Sequence, residues 1–458
     1  MNAHKNSRRA LVALVQLSLI ASAFASVAPA MAQDSTPLVV NLKNDSPERV
    51  PGAKPDPKSI EGGIWADADK AERQAKTSGE RDSDPALDAY ISSVEAKVAG
   101  PFSGDIRVLV MDRPFFNADV NPNGYAEVWS GLMLRAQTED QLAFVLGHET
   151  GHFRHSHSLK RFYEIKAGND ALMVGSAVVM LALLGASANS GAYGTSGYHD
   201  YTSYGGGLID VGYLGTVAVL MSYSRGTEAQ ADAYGLQYAS QAGYFPGAGA
   251  QIWQGLLNEI AASDDPRVRK MGSRINIFGS HPLESDRIDA LNAADRAAHG
   301  GQLSTRSDAD EKAARLAYRQ HIRPFLGAWL KDDLRRKDYG ETLFLINRLA
   351  MDGEDPGVLN FYKGEAYRER GNPDDLQPAL AAYQTAALAP DAPKETPRQI
   401  GDVYRRLGDN ASAVKAYQAY LAAAPDASDA WMVQDEVDTL NKAIPAAAPA
   451  PATPSQGE

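Results

Sequence analysis

The run Gly147-His148-Glu149-Thr150-Gly151-His152 holds two histidines four residues apart, with a glutamate directly after the first. On a helix, positions i and i+4 share a face, so both imidazoles can meet one metal ion. Glu149 is rotated by about 100° from His148, since a helix has 3.6 residues per turn. It flanks the metal rather than binding it, and can take a proton from a water. Leu142, Phe144, Val145, Leu146 and Phe153 make the surrounding run apolar. A histidine pair buried there needs polar partners, and a metal ion supplies one. Imidazoles without thiolates suit catalytic zinc, which keeps a position open for water. A third ligand is still required, and the segment Ser224-Arg225-Gly226-Thr227-Glu228-Ala229-Gln230-Ala231-Asp232 offers it. Glu228 can bind the metal while Asp232, one turn on, holds a ligand imidazole through its N–H. Glutamate and aspartate at this spacing are common on solvated faces, so the pair draws its weight from what surrounds it.

These side chains need elements to carry them. Pro85–Ala99 has helical spacing of Leu87, Tyr90, Ile91, Val94 and Val98. Residues 106–111 read as a buried strand, Tyr125–Trp129 as a short alternating strand, and residues 137–157 as one long helix. A further helix begins near Thr227. Between the two metal-binding segments lie apolar stretches at 171–187 and 208–221, separated by a Gly/Ser/Tyr-rich run. The first is slightly short for the ~20 residues of a membrane span, and the second contains Asp210. They are expected to form an apolar hairpin with a mobile tip. It covers the cleft or rests against a membrane or membrane protein.

The chain has 458 residues and a formal net charge of −12, which leaves no basic surplus for nucleic acid. The absence of cysteine excludes disulfide scaffolds, thiol nucleophiles and thiolate metal sites. Lys5, Arg8 and Arg9, an apolar stretch, and Ala30-Met31-Ala32 read as a signal peptide over residues 1–32. Residues 33–60 read as a flexible leader. Residues 305–442 are helical and repetitive: Pro356, Pro390 and Pro425 recur at about 34-residue spacing, as do Tyr383 and Tyr417. Gly364, Tyr367 and Gly371 are echoed by Gly401, Tyr404 and Gly408. This spacing resembles the tetratricopeptide repeat, with small residues at the close approach of paired helices. Residues 443–458 are Ala/Pro-rich and read as a disordered tail.

Four blocks stand in order along the chain: Asn117-Ala118 with Gly124-Tyr125, the segment 142–157, Tyr223-Ser224-Arg225 through Asp232 and Gly235, and Ser280-His281-Pro282 with Arg287-Ile288. Together they resemble the zinc metalloproteases of the CAAX-endopeptidase/HtpX group, the minigluzincins, and most closely their soluble periplasmic members with C-terminal tetratricopeptide repeats. The resemblance implies a mostly helical α+β fold: a gluzincin-type metalloprotease domain with a small sheet over residues 61–300, its apolar insertion at 170–222, then an all-α repeat solenoid. It makes His148, His152 and Glu228 ligands of Zn2+, Glu149 the general base, and Asp232 the group behind them. His281 is carried over as a catalytic histidine that stabilises the oxyanion or binds zinc in a resting state. His155 and His157 read as structural or solvent-facing. A polypeptide substrate is expected to add a strand beside an edge formed by Tyr125, Ala126, Glu127 and Val128. The function implied is an exported, periplasmic endopeptidase acting on misfolded or misassembled envelope proteins, with a partner held by the repeats. The alternative is a chaperone or assembly adaptor whose repeats do the work beside a weak or vestigial site.

Overall fold

The computed structural model describes residues 47–166, 223–271 and 285–443. The expected signal peptide, the first part of the leader, the insertion 170–222, His281 and the tail beyond residue 443 lie outside the described residues. The architecture is mostly helical, with a small mixed sheet and a C-terminal series of packed helix pairs. No helix of the described residues is long and apolar enough to cross a membrane.

Helix α1 (Ile60–Lys76) opens on Ser59, which accepts the Gly62 N–H. Helix α2 (Pro85–Ala99) opens on Asp84, which accepts from Ala86 and Leu87, with Pro85 in the first turn where its missing N–H is no loss. The face expected to be apolar on α2 is the one it buries. Strands β1 (Arg107–Met111), β2 (Ala118–Val120) and β3 (Tyr125–Trp129) form a three-stranded sheet in the order β1-β3-β2. β3 runs parallel to β1, with Tyr125 opposite Arg107, and antiparallel to β2, with Val128 opposite Ala118. The edge-strand expectation is thereby corrected. Tyr125, Ala126, Glu127 and Val128 form the central strand, whose backbone groups serve neighbours on both sides, so no substrate strand can add there.

Helices α3 (Ser130–Arg135), α4 (Glu139–Arg154) and α5 (His157–Lys166) follow. The single long helix expected over 137–157 is two, because Ser156 sits in the left-handed region at φ 52°. Helix α4 starts at Thr138, whose side chain accepts the Gln141 N–H while Gln141 reaches back to the Gln137 N–H. Glu139 and Asp140 in the first turn complement the helix dipole. Then come α6 (Arg225–Gln241), α7 (Ala248–Ala261), α8 (Pro266–Met271) and α9 (Ser285–Ala298). α4 packs along α6 and against β2, so the helix that carries His148 and His152 lies between the sheet and its partner helix.

The remaining helices are α10 (Asp308–Ile322), α11 (Leu326–Leu334), α12 (Tyr339–Leu349), α13 (Pro356–Arg370), α14 (Leu376–Ala387), α15 (Thr396–Arg406), α16 (Asn410–Ala423) and α17 (Ala430–Ala443). Two of the pairs are built alike. A Cβ at Gly364 would lie 2.6 Å from the Tyr383 ring, and one at Gly401 would lie 2.5 Å from Tyr417. The Tyr383 hydroxyl donates to Glu365 at 2.6 Å and that of Tyr417 to Asp402 at 2.7 Å. The recurring glycine and tyrosine thus mark one contact made twice.

One hydrophobic core runs from Leu87 to Leu359, taking in Tyr318, Trp329 and Ile346 from α10, α11 and α12. Buried polar contacts reinforce it. Arg135 of α3 pairs with Glu259 of α7 at 2.6 Å and with Asp333 of α11 at 2.8 Å. Thr342 donates to Asp333 at 2.7 Å, and Arg336 pairs with it at 3.0 Å. The Tyr318 hydroxyl donates to the Met133 carbonyl at 2.7 Å, and Trp329 Nε1 to Asp112 at 3.0 Å.

Candidate metal centre

The site is assembled where α4 crosses α6 at glycines. A Cβ on Gly235 would lie 2.9 Å from the Phe144 carbonyl oxygen and 3.0 Å from the His148 nitrogen, and one on Gly147 would lie 3.1 Å from the Gly235 carbonyl. This backbone approach lets the first turn of α6 face the last turns of α4. Ser224 caps α6 by accepting the Thr227 N–H at 3.2 Å, which sets Glu228 in that first turn.

His148, His152 and Glu228 are all buried and offer ligand atoms within 4.8 Å of one another. The two Nε2 atoms are 3.1 Å apart, and each lies 3.6 Å from an oxygen of Glu228. Two imidazole nitrogens bound tetrahedrally at the usual zinc distance stand ~3.3 Å apart, so the spacing fits one small ion. The charges fit as well. Among the described residues of the cluster, the carboxylates of Glu149, Glu228 and Asp232 face the Arg287 guanidinium, a formal surplus of two negative charges with the imidazoles counted neutral. A divalent cation closes that surplus. Glu149 is buried, with an oxygen 4.0 Å from His148 Nε2, beside the ligand atoms rather than among them.

Each ligand imidazole is held from behind. Asp232 Oδ1 lies 3.1 Å from His148 Nδ1, which accounts for the i+4 acid on α6. An Nδ1–H donated there leaves the Nε2 lone pair for the metal. His157 Nδ1 lies 2.9 Å from His152 Nδ1, and the Tyr223 ring stacks on His152 with centroids 4.0 Å apart. His155 stacks on Tyr234 at 3.9 Å. Both histidines are buried, so the solvent-facing option for them is excluded. His157 supports a ligand, a role its position in the sequence does not reveal because the left-handed Ser156 breaks the helical phase.

Arg287 is the larger omission. Its Nε and Nη2 grip Asp232 at 2.6 and 2.7 Å, and its Nη1 reaches Glu228 at 3.0 Å. The guanidinium lies 4.6 Å over the Trp253 ring, whose Nε1 donates to Asp232 at 3.3 Å. Burial pushes the Asp232 carboxyl up, but Arg287 and His148 outweigh it and hold it down at about 2. Burial likewise lowers Arg287, and Asp232 and Glu228 reverse this and raise it. The sequence does carry a signal for it: two acids one turn apart on an apolar, buried helix face require a cation besides the metal.

Residues 82–295 match the model of the Peptidase family M48. The chain is 26% identical over 228 residues to the beta-barrel assembly-enhancing protease of Escherichia coli O157:H7, covering 49% of this chain and 42% of that protein. It is 28% identical over 179 residues to the mitochondrial metalloendopeptidase OMA1 of Schizosaccharomyces pombe, covering 39% and 43%. It is also 28% identical over 213 residues to metalloprotease YcaL of E. coli K12, covering 45% and 69%. The chain therefore spans less than half the length of the first two relatives.

Proposed function

We propose that the chain, whose residues 82–295 match the model of peptidase family M48, is a zinc-dependent endopeptidase of envelope proteins in the periplasm. The observation that carries this is the convergence of His148, His152 and Glu228 on one point with Glu149 beside it. His148, His152 and Glu228 hold the ion. When bound, zinc supplies Lewis acidity toward a water and toward the scissile carbonyl. Glu149 takes a proton from the attacking water at a carboxylate oxygen and gives it to the leaving amide nitrogen as the C–N bond breaks. Asp232 and His157 keep the two ligand rings in place, and Arg287 keeps Asp232 ionised and holds Glu228 in position.

The envelope assignment draws support from a relative named for β-barrel assembly and from the sequence of residues 1–32. The helix pairs, read as tetratricopeptide-like repeats, are suited to holding a client or partner near the cleft. Unfolded or misassembled polypeptides fit as substrates.

The test compares wild type with Glu149→Gln for zinc content and casein cleavage. Both proteins bind about one zinc per chain, and cleavage falls by ~10³-fold or more in the variant, since the proton-transfer group is lost. Zinc binding without any cleavage of unfolded or native clients by wild type would shift the function to the adaptor class. Capture of clients by Glu149→Gln in cells, followed by their identification, tests the envelope assignment.

A further inference from the structure

We infer that Arg49, in a segment remote in sequence from every metal-binding residue, is a positioning residue for the metal helix. The last carbonyls of a helix have no partner within it and must be satisfied from outside. In α4 these carbonyls lie directly after His152, and the chain then turns at Ser156 to place His157 against His152. Arg49 takes two of them, sharing the Phe153 carbonyl with the Ser156 N–H at 3.1 Å. Its backbone N–H donates to the Arg154 carbonyl at 2.7 Å and its Nε to the Phe153 carbonyl at 3.0 Å. A guanidinium at a helix C-terminus also complements the dipole.

The arginine is itself fixed. It pairs with Glu61 at 3.2 Å, and its guanidinium lies 5.0 Å from the Phe153 ring centroid and 5.6 Å from that of Trp65. The neighbouring Glu48 pairs with Arg154. Arg154 in turn lies 4.1 Å from the ring centroid of Tyr238 on α6 and 4.8 Å from that of Phe102. The stretch read from sequence as flexible leader therefore fastens the end of α4 to α1, at the point where Arg154 of α4 meets the helix that carries Glu228. Without Arg49 the turn from Phe153 to His157 loosens, and His152 loses its fixed neighbour first.

This role rests on the zinc site proposed above, and the test separates the two. The full chain is loaded with zinc and challenged with a chelator, and metal release is timed for wild type, Arg49→Met and Arg49→Lys. Gly401→Ala, which crowds Tyr417 in the C-terminal pairs, serves as a control for lost thermal stability alone. Release from Arg49→Met is expected to be ~3–10-fold faster, below the 10–100-fold typical of a group that touches a ligand directly. Both variants keep the backbone donor to Arg154 and lose the Nε donor to Phe153; Arg49→Lys also keeps the charge, and should fall between. Gly401→Ala should release zinc at the wild-type rate despite a lower Tm. Wild-type release from Arg49→Met, or acceleration in Gly401→Ala equal to that in Arg49→Met, overturns the role of Arg49. If Arg49→Met does not fold, wild-type release from Arg49→Lys overturns it. Wild type that takes up no zinc overturns the site itself.

Discussion

Glu95 stands one contact away from Glu149, the proposed general base. Its Oε1 accepts the Thr150 hydroxyl at 3.0 Å, and Thr150 follows Glu149 in the chain. Burial pushes the Glu95 carboxyl up to about 8, with the Glu149 charge adding to the rise. The folded protein therefore holds a proton there that the unfolded chain, with an ordinary carboxyl, gives up from about pH 4.5. Between about pH 4.5 and 8 the folded state binds more protons, so stability falls as pH rises through that window. Glu95→Gln removes the penalty. Its Tm should match wild type near pH 4.5 and exceed it by about 4–8 °C at pH 8.5, checked by scanning calorimetry. At this scale the ligands are legible in the sequence, because histidines four residues apart on an apolar helix have little use except to share a metal ion. The role of Arg287 is legible only in part: two acids on a buried face call for a cation, but which cation answers is decided by three elements meeting and not by neighbours in the chain.

Helix α4 and helix α6 meet without side chains between them at Gly147 and Gly235, and that contact sets the distance from Glu228 to the histidines. Any Cβ at Gly235 must displace backbone, because the nearest atoms are the Phe144 carbonyl oxygen and the His148 nitrogen. Gly235→Ala is expected to destabilise by ~1–3 kcal/mol, as overpacking does, and to weaken zinc binding in parallel. Chelator competition beside a thermal melt checks this; a lower Tm with unchanged zinc affinity would mean that α6 moves without carrying Glu228. Element identity is well marked in the sequence where caps and periodicity agree, as at Asp84-Pro85 and Thr138. It fails in the sheet. β2 has three residues, too few for an alternating pattern, so β3 reads as an outer strand when it is the middle one.

At the scale of the molecule, Arg135 is the point where the catalytic half and the helix pairs are joined. It is buried against Glu259 and Asp333, which lie on opposite sides of residues 297–301 in the chain. Arg135→Met leaves two buried carboxylates short of a partner and should cost ~3–5 kcal/mol. Because α10 to α12 share the core that reaches back to α2, the loss should lower one common transition in calorimetry rather than a separate one for the C-terminal helices. Composition cannot reveal this fusion, which depends on charges far apart in the chain finding each other: Arg135 and Asp333 are separated by 198 positions. The fusion has a geometric consequence. Were the helix pairs to hold a polypeptide as proposed, the core shared by α10 to α12 would fix the reach from grip to blade, and the molecule would work as a ruler. Scission would then fall at a constant number of residues from the anchored stretch, whatever side chains stand there.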